Sequence, residues 1–202
     1  MNSNNSFNTL DLPNGFTMVI ASSRTQTTTN FIPRSSCLRR STISGNNSTN
    51  SIISQASGTV NSEWITLQNH RVQGGASFNA TDAVISNIVG WTAQTVQPIT
   101  MYWVGGTGNW SDPNKWAFTS GGPGNGCIIP KSTDHVVFDN ASFTASNQTV
   151  TLNQTTTVVN MIWNNVAFTP SFTGVNSLTV NGNLFINSAM SWNQSGTLNL
   201  NG

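Results

Sequence analysis

The sequence predicts an all-β protein built as a parallel β-helix, or β-solenoid, in which short strands wind around one axis. Three observations predict this fold class. Short stretches alternate polar and apolar residues, and no segment has the spacing of an amphipathic helix. A short sequence motif also recurs after roughly 20 residues. A pair of β-sandwiches is the alternative, because short strands separated by tight turns are also typical of that fold.

Alternating polarity marks the individual strands. The first two flank the turn Pro13-Asn14-Gly15, and others follow along the whole chain. Since no stretch holds the helical spacing over three turns, we expect almost no helix. The predicted strands are 9–12, 16–20, 51–53, 63–67, 83–85, 135–138, 149–152, 158–163, 177–180, 184–186 and 197–200.

An internal repeat favours the solenoid over the sandwich. The sequence Leu-Thr-Val-Asn-Gly at 178–182 returns as Leu-Asn-Leu-Asn-Gly at 198–202, and a variant with one extra residue stands at 10–15. A period of roughly 20 residues is one coil of a parallel β-helix. Coils stacked about 4.8 Å apart bury their inward Leu, Val, Ile and Phe side chains continuously. The chain therefore predicts about eight to ten coils.

The composition excludes partners that require charge. Only 6% of residues are charged and the net charge is +1, whereas a typical soluble domain has about 25% charged residues. Asn, Ser, Thr and Gln supply the polarity. Nucleic acid and anionic membranes demand a basic patch, so neither is a predicted partner. The one basic cluster, Arg34, Arg39 and Arg40, is interpreted as a solvated loop rather than a phosphate site.

The chain shows no targeting or membrane segment. No apolar run approaches the ~20 residues of a transmembrane helix, and residues 1–6 lack the features of a signal peptide. The strand pattern begins and stops abruptly, and we expect a section of a longer protein. The two cysteines, Cys37 and Cys127, lie on opposite sides of the expected domain boundary. A disulfide between them is one possibility. We favour free thiols, or cysteine partners outside this sequence, because a disulfide requires Cα atoms within about 7 Å.

The boundary between two modules is expected at residues 90–100. There the pair Gly90-Trp91 is followed by a polar stretch with Pro98. The stretch 102–116 then combines one tyrosine and three tryptophans with glycine, asparagine and proline, which suits neither a helix nor a disordered linker. Residues 1–97 are therefore predicted to be the C-terminal part of one β-helical module. Residues 98–202 are predicted to be the opening motif and first coils of the next.

The motifs resemble modules of very large secreted surface proteins of Bacteroidota. The opening stretch 102–116, with 119–122, Pro130 and 134–139, is similar to the start of such modules, and 56–61, 74–81 and 90–91 are similar to their closing half. These proteins include the giant gliding-motility adhesins exported by the type IX secretion route. Related modules often have a cysteine near 158–163 that would partner the one matched by Cys127, whereas this chain has valines there. The resemblance implies no particular activity.

Four aromatic residues are the leading candidate site: Tyr102, Trp103, Trp110 and Trp116. They could form a platform on which a carbohydrate stacks. They could equally cover the end of the coil stack, where strand edges and core would otherwise be exposed. Because they coincide with the start of a module, we favour the cap.

Catalytic and metal sites have weaker support. The closest set of titratable residues is Asp134, His135 and Asp139, which we interpret as a strand with acidic turn residues, so no catalytic residue is predicted. Alternation places His135 and Asp139 on one face of that strand. Weak calcium candidates are Asp112, Asp134 and Asp139, with Asn114 and Asn140, and no zinc spacing is present.

These observations favour a structural, adhesive segment of a large bacterial surface protein, without enzymatic activity or a cofactor. The resemblance implies that it is secreted, attached at the outer membrane, and in contact with neighbouring modules of the same chain. Surface glycans and the secretion or motility machinery are further expected partners. A carbohydrate-binding module that uses the aromatic cluster is the alternative, and a fragment of a polysaccharide-degrading β-helix enzyme is the third hypothesis.

Overall fold

A computed structural model describes residues 1–202 and confirms the predicted fold class. The protein is an all-β solenoid with about nine turns in total. It contains no α-helix, only a single 3₁₀ turn at Pro113–Lys115. The sandwich alternative is wrong, because strands pair in parallel with the strands of the next turn. Parallel pairs need a crossover between them, which here is the remainder of each coil.

The chain divides into two compact units, Met1–Val96 and Gln97–Gly202. The first unit contains three parallel sheets, with strand orders β1-β3-β5-β8, β10-β7-β4-β2 and β11-β9-β6. Its strands are β1 (Asn5–Leu12), β2 (Thr17–Ile20), β3 (Arg24–Pro33), β4 (Thr42–Gly45), β5 (Ser51–Gln55), β6 (Thr59–Glu63), β7 (Thr66–Gln68), β8 (Arg71–Gln73), β9 (Ser77–Thr81), β10 (Val84–Ser86) and β11 (Trp91–Ala93).

The second unit also contains three sheets, with orders β14-β12-β15-β18-β21, β13-β16-β19-β22 and β17-β20-β23. Every pair in them is parallel except β12 with β14. The strands are β12 (Thr100–Trp103), β13 (Gly108–Asn109), β14 (Trp116–Ala117), β15 (His135–Phe138), β16 (Thr149–Leu152), β17 (Thr156–Val158), β18 (Asn160–Trp163), β19 (Ser171–Gly174), β20 (Leu178–Val180), β21 (Leu184–Phe185), β22 (Ser191–Gln194) and β23 (Leu198–Leu200).

The strand register agrees with the repeat in the sequence. Leu178 of β20 pairs with Leu198 of β23, and the residues between them complete one coil. Coils of the first unit vary more in length, because Gln26 pairs with Ile53 whereas Ile53 pairs with the much nearer Val72. The longer of these two coils contains residues 34–41, a loop without strand structure that connects β3 to β4.

Alternate side chains of each strand fill the interior of the coils. In the first unit Ile20, Ile43 and Leu67 are fully buried in successive turns, and each unit has a separate apolar cluster. Burying an aliphatic side chain contributes roughly 1.5–3 kcal/mol. One coil alone has too few such residues to fold, so stability comes from stacking.

The longest strand, β3, is not predicted by alternating apolar residues. Its centre reads Thr-Gln-Thr-Thr-Thr-Asn, and the inward positions Gln26 and Thr28 are polar and buried. A buried amide is tolerated when its hydrogen bonds are satisfied. The Gln26 side chain donates to the Ser3 carbonyl at 2.8 Å and accepts from Asn5 Nδ2 at 2.7 Å.

Two predicted strands, 63–67 and 158–163, are interrupted by corners of the coil. At the first corner Trp64 adopts φ 57° between β6 and β7. At the second, β17 ends at Val158 and β18 begins at Asn160. At both corners buried residues lie on each side, and no glycine or proline stands between them, so the sequence pattern does not mark the corner.

Amide and hydroxyl side chains form ladders on the outside of the coils. Asn61 and Asn79 are joined at 2.9 Å, as are Asn69 and Asn87 at the corners just after β7 and β10. In the second unit Asn201 Nδ2 donates to Asn181 at 3.0 Å. Such side chains satisfy one another between turns without charge, which explains how a chain with so few ionic residues covers its sheets.

Candidate functional site

The aromatic stretch closes the first edge of the sheet that contains β12. Strand β14 pairs antiparallel with β12, placing Trp103 opposite Trp116, while the other side of β12 pairs in parallel with β15. The antiparallel turn occupies the backbone groups that a preceding parallel coil would otherwise use. The local sequence therefore reverses the chain and terminates the parallel stack at this edge.

Three tryptophan rings and one phenylalanine ring pack together beneath this edge, which we call the aromatic cap. Trp116 meets Trp103 and Trp110 edge to face, with ring centroids 5.1 and 4.7 Å apart. Phe138 of the next coil lies 6.0 Å from Trp103 and stacks on Trp163 at 3.9 Å. Aromatic pairs in these arrangements contribute about 0.5–1.5 kcal/mol beyond their buried area. The cap is thus continuous with the core of the second unit.

The loops of the cap satisfy most of its polar groups. Trp103 Nε1 donates to the Gly106 carbonyl at 2.7 Å, and Trp116 Nε1 donates to the Trp110 carbonyl at 2.8 Å. Gly106 has φ +70°, a conformation that glycine adopts without strain. Trp110 Nε1 is buried without a hydrogen-bond partner. Such an unpaired donor costs free energy, so the packing of the ring must outweigh that cost.

The burial of the rings decides what the cluster can do. Trp103, Trp110 and Trp116 are each 0% exposed, and Tyr102 is half-buried on the outer face. A carbohydrate platform needs accessible ring faces, and in this structure these three tryptophans present none. The arrangement matches a cap over the end of the coils.

The acidic candidates hold turns together. Asp112 Oδ1 accepts from Asn114 N at 2.9 Å and caps the 3₁₀ turn. Asp134 is buried and accepts from the backbone of Ile99 at 3.2 Å and of Lys131 at 2.9 Å. These carboxylate oxygens therefore face backbone N–H groups rather than an open site.

Asp139 and His135 also have hydrogen-bond partners within the fold. Asp139 accepts from Ala141 N at 2.9 Å, and Asn160 Nδ2 lies 2.8 Å from His135 Nδ1. Strand β15 alternates as predicted, with Val136 and Phe138 buried and His135 half-buried. No group of three His, Cys, Asp or Glu residues is arranged to hold a metal ion.

The second histidine, His70, lies inside the first unit. Trp91 Nε1 donates to His70 Nε2 at 3.0 Å, and His70 Nδ1 lies 3.1 Å from the Gln68 carbonyl. Since an indole N–H can only donate, Nε2 is the acceptor and the ring is neutral. Burial lowers the pKa of His70 below its ordinary value, although the bond to the Gln68 carbonyl opposes this shift. The ring is a structural group with both nitrogens engaged.

The three arginines of the basic cluster have different partners. Arg34 forms a two-pronged ion pair with Asp11, at 2.8 and 2.9 Å, which holds the pKa of that exposed carboxyl below its ordinary value. Arg40 donates to the Asp82 carbonyl at 3.1 Å and lies 6.0 Å over the Trp64 ring. The side chain of Arg39 lies against Gly15. The cluster therefore presents no common anion site.

The cysteines differ from the favoured expectation. Neither is a free thiol, because both Cys37 and Cys127 are disulfide-bonded. A disulfide depends on the separation of Cα atoms in space, which spacing along a chain does not reveal.

Comparison with family models, curated proteins and solved structures finds no match to the chain. The structure also has no helix with the length and apolar character needed to cross a membrane.

Proposed function

We propose that the chain is a structural segment of a large secreted bacterial surface protein, forming part of an adhesive rod or filament. The observation that carries the proposal is parallel pairing that continues from coil to coil, as in β16-β19-β22 and β17-β20-β23. Each coil is tied to the next by backbone hydrogen bonds in several sheets. Such a stack extends in one dimension by adding turns, which is how a long surface protein gains reach.

The surface chemistry supports a spacer role. Charged residues make up 6% of the chain and the outer faces consist mainly of Asn, Thr and Ser. A nearly neutral surface of this kind stays hydrated through hydrogen bonds. Electrostatic repulsion between neighbouring segments is weak, so it changes little with salt concentration. A protein outside the cell meets changing ionic strength, and this composition suits that setting.

The resemblance to gliding-motility adhesins supplies the finer part of the proposal. On this proposal the parent protein belongs to Bacteroidota, is exported by type IX secretion and is attached at the outer membrane. Neighbouring modules of the same chain are then the immediate partners. Glycans, or the motility machinery, are the partners of the whole protein.

The two alternative functions gain no support from the residues first proposed for them. The aromatic cluster is buried, so a carbohydrate module based on those rings lacks an accessible face. The acids that an enzyme would require bind backbone N–H groups of nearby loops and turns. The adhesive segment is therefore the function that we propose.

Stretching single molecules by their termini tests the mechanical proposal. In reducing buffer, so that only the pairing of coils resists the load, we expect the chain to lengthen in successive steps. Each step should release about one coil of roughly 20–25 residues, at up to ~3.5 Å per residue. Smooth extension without steps would show that the coils do not resist load and would contradict the proposal.

Labelling of intact cells tests the location. An antibody against residues 98–202 should stain unpermeabilised cells of the source bacterium, and protease added outside should remove the signal. Staining that requires permeabilisation would overturn the surface assignment while leaving the mechanical result unaffected.

A further inference from the structure

The first unit contains an open cleft that none of the functions above uses. It has a volume of about 350 Å³ and crosses three successive coils. The turn after β1 supplies one side, the end of β3 supplies the floor, and the end of β6 supplies the other side. Among the residues that line it are Ile32, Pro33, Arg34, Asn61, Ser62 and Glu63.

Hydrogen bonds between coils hold the walls of this cleft. Ser62 Oγ donates to the Pro33 carbonyl at 2.8 Å, and Arg34 N donates to the Leu12 carbonyl at 2.9 Å. The Ser35 hydroxyl donates to the Trp64 carbonyl at 2.8 Å. A cleft fixed in this way loses little conformational entropy when a ligand binds, so even a few hydrogen bonds can give measurable affinity.

Unused donors and acceptors line the cleft. Arg34 uses two of its five N–H donors on Asp11 and keeps the others. Asn61 Oδ1 accepts from Asn79, which leaves the Asn61 NH₂ group free to donate. The Glu63 side chain is exposed and makes no hydrogen bond or ion pair, so its oxygens are free acceptors. The cleft therefore offers both donors and acceptors within one small area.

The charges favour a neutral ligand. Asp11 already neutralises Arg34, and the unpaired Glu63 disfavours an anion. A cation would meet Glu63 together with the Arg34 guanidinium. Beside these polar groups, the half-buried Ile32 offers apolar surface. An uncharged ligand with many hydroxyl groups and a C–H face would match both the hydrogen-bonding side chains and the apolar surface of the cleft.

We propose that this cleft binds a neutral saccharide, with Glu63 accepting from sugar hydroxyls and Asn61 and Arg34 donating to them. Its volume is at the lower end of the ~300–1,000 Å³ typical of small-molecule sites, which fits the end of a glycan chain rather than a long polymer. The site goes beyond the proposed structural role, which requires no ligand in this segment. It also involves none of the residues of the buried aromatic cap.

Saturation-transfer NMR on the full chain tests the proposal. The probes are the methyl glycosides of glucose, galactose, mannose and N-acetylglucosamine at millimolar concentration, with glucuronate, glucosamine and inorganic phosphate as charged probes. We expect signal from at least one neutral glycoside and weaker signal from the charged probes. Glu63→Gln and Asn61→Ala should each weaken binding about tenfold, which corresponds to ~1.4 kcal/mol.

Asn199→Ala is the matched control. Asn199 is also an exposed strand asparagine, and it donates to Thr179 of the preceding coil at 3.3 Å, but it lies outside the cleft. It should bind as the parent chain does. The proposal is overturned if no neutral glycoside gives a signal, if phosphate or a charged sugar binds best, or if the control loses as much affinity as the cleft variants. None of these results bears on the stretching experiment, so the two proposals fail separately.

Discussion

Several polar side chains that point into the coils are held there by hydrogen bonds. Gln26 bonds to Ser3 and Asn5, and Ser62 bonds to the Pro33 carbonyl. The same holds for His70, which lies between Trp91 and the Gln68 carbonyl. A buried polar group is costly only when it is unpaired, so these residues define the register of neighbouring coils without weakening the core.

Folding stability should decrease below pH 6.5 because of His70. Its pKa is lowered from the ordinary value of 6.5, so below that pH the unfolded chain binds a proton that the folded chain does not. Stability is then lost as the pH falls, by at most about 1.4 kcal/mol per pH unit for one proton. Urea denaturation at pH 7.5 and pH 5 measures the difference.

The variant His70→Gln removes this proton while keeping one donor and one acceptor. Its stability should change less between the two pH values than that of the parent chain. An equal pH dependence in His70→Gln and the parent would contradict the assignment of a neutral His70.

Gly174 should be intolerant of a side chain because coils approach closely there. It has φ +133°, and a Cβ would lie 2.4 Å from the Leu152 carbonyl oxygen of the preceding coil. Gly174→Ala should therefore cost more than the ~1–2 kcal/mol of backbone strain alone. Gly58→Ala is the comparison, since Gly58 has φ +92° but its nearest neighbour would be 3.5 Å away. Equal losses of stability in the two variants would show that coil spacing is not limiting.

The aromatic cap ends the sheet at β14, so the edge of β12 has no free backbone groups for another parallel coil. Antiparallel pairing of β14 with β12 protects the sheet edge, and buried tryptophans fill the space behind it. An unprotected parallel edge pairs readily with other strands.

Trp116→Ala should destabilise the second unit and expose the edge at β12. Removing a fully buried tryptophan costs about 3–5 kcal/mol. We expect a lower denaturation midpoint together with concentration-dependent association in analytical ultracentrifugation. Phe118→Ala, two residues away at a side chain that is 52% exposed, should change stability by no more than ~0.5 kcal/mol. A Trp116→Ala chain as stable as Phe118→Ala would mean that the ring is dispensable.

Elements with alternating apolar residues can be predicted from the sequence, whereas others cannot. Strands β15 and β16 match the predicted segments, since their buried positions are occupied by Val, Phe and Leu. Strand β3 escapes prediction because its inward residues include Gln26 and Thr28, which pattern reasoning assigns to a turn or surface. The corner at Trp64 escapes prediction because a left-handed tryptophan has no sequence signal.

The repeat of 178–182 at 198–202 is the decisive sequence signal for the fold of the molecule. It reappears as the pairing of Leu178 with Leu198 in adjacent coils. The aromatic cluster can also be located from the sequence, but only its burial distinguishes a cap from a binding platform. The cleft at Arg34, Asn61 and Glu63 cannot be predicted, because its residues come from different coils of unequal length.

The most direct test of the stacked-coil account is NMR measurement of contacts between strands. Parallel stacking predicts Hα-to-amide NOEs linking Thr179 with the residues around Asn199 of β23, in the next coil. Strong Hα–Hα NOEs should be confined to the antiparallel pair β12 and β14, which serves as the internal reference. Strong Hα–Hα NOEs between β20 and β23, or no contact between them, would contradict the account.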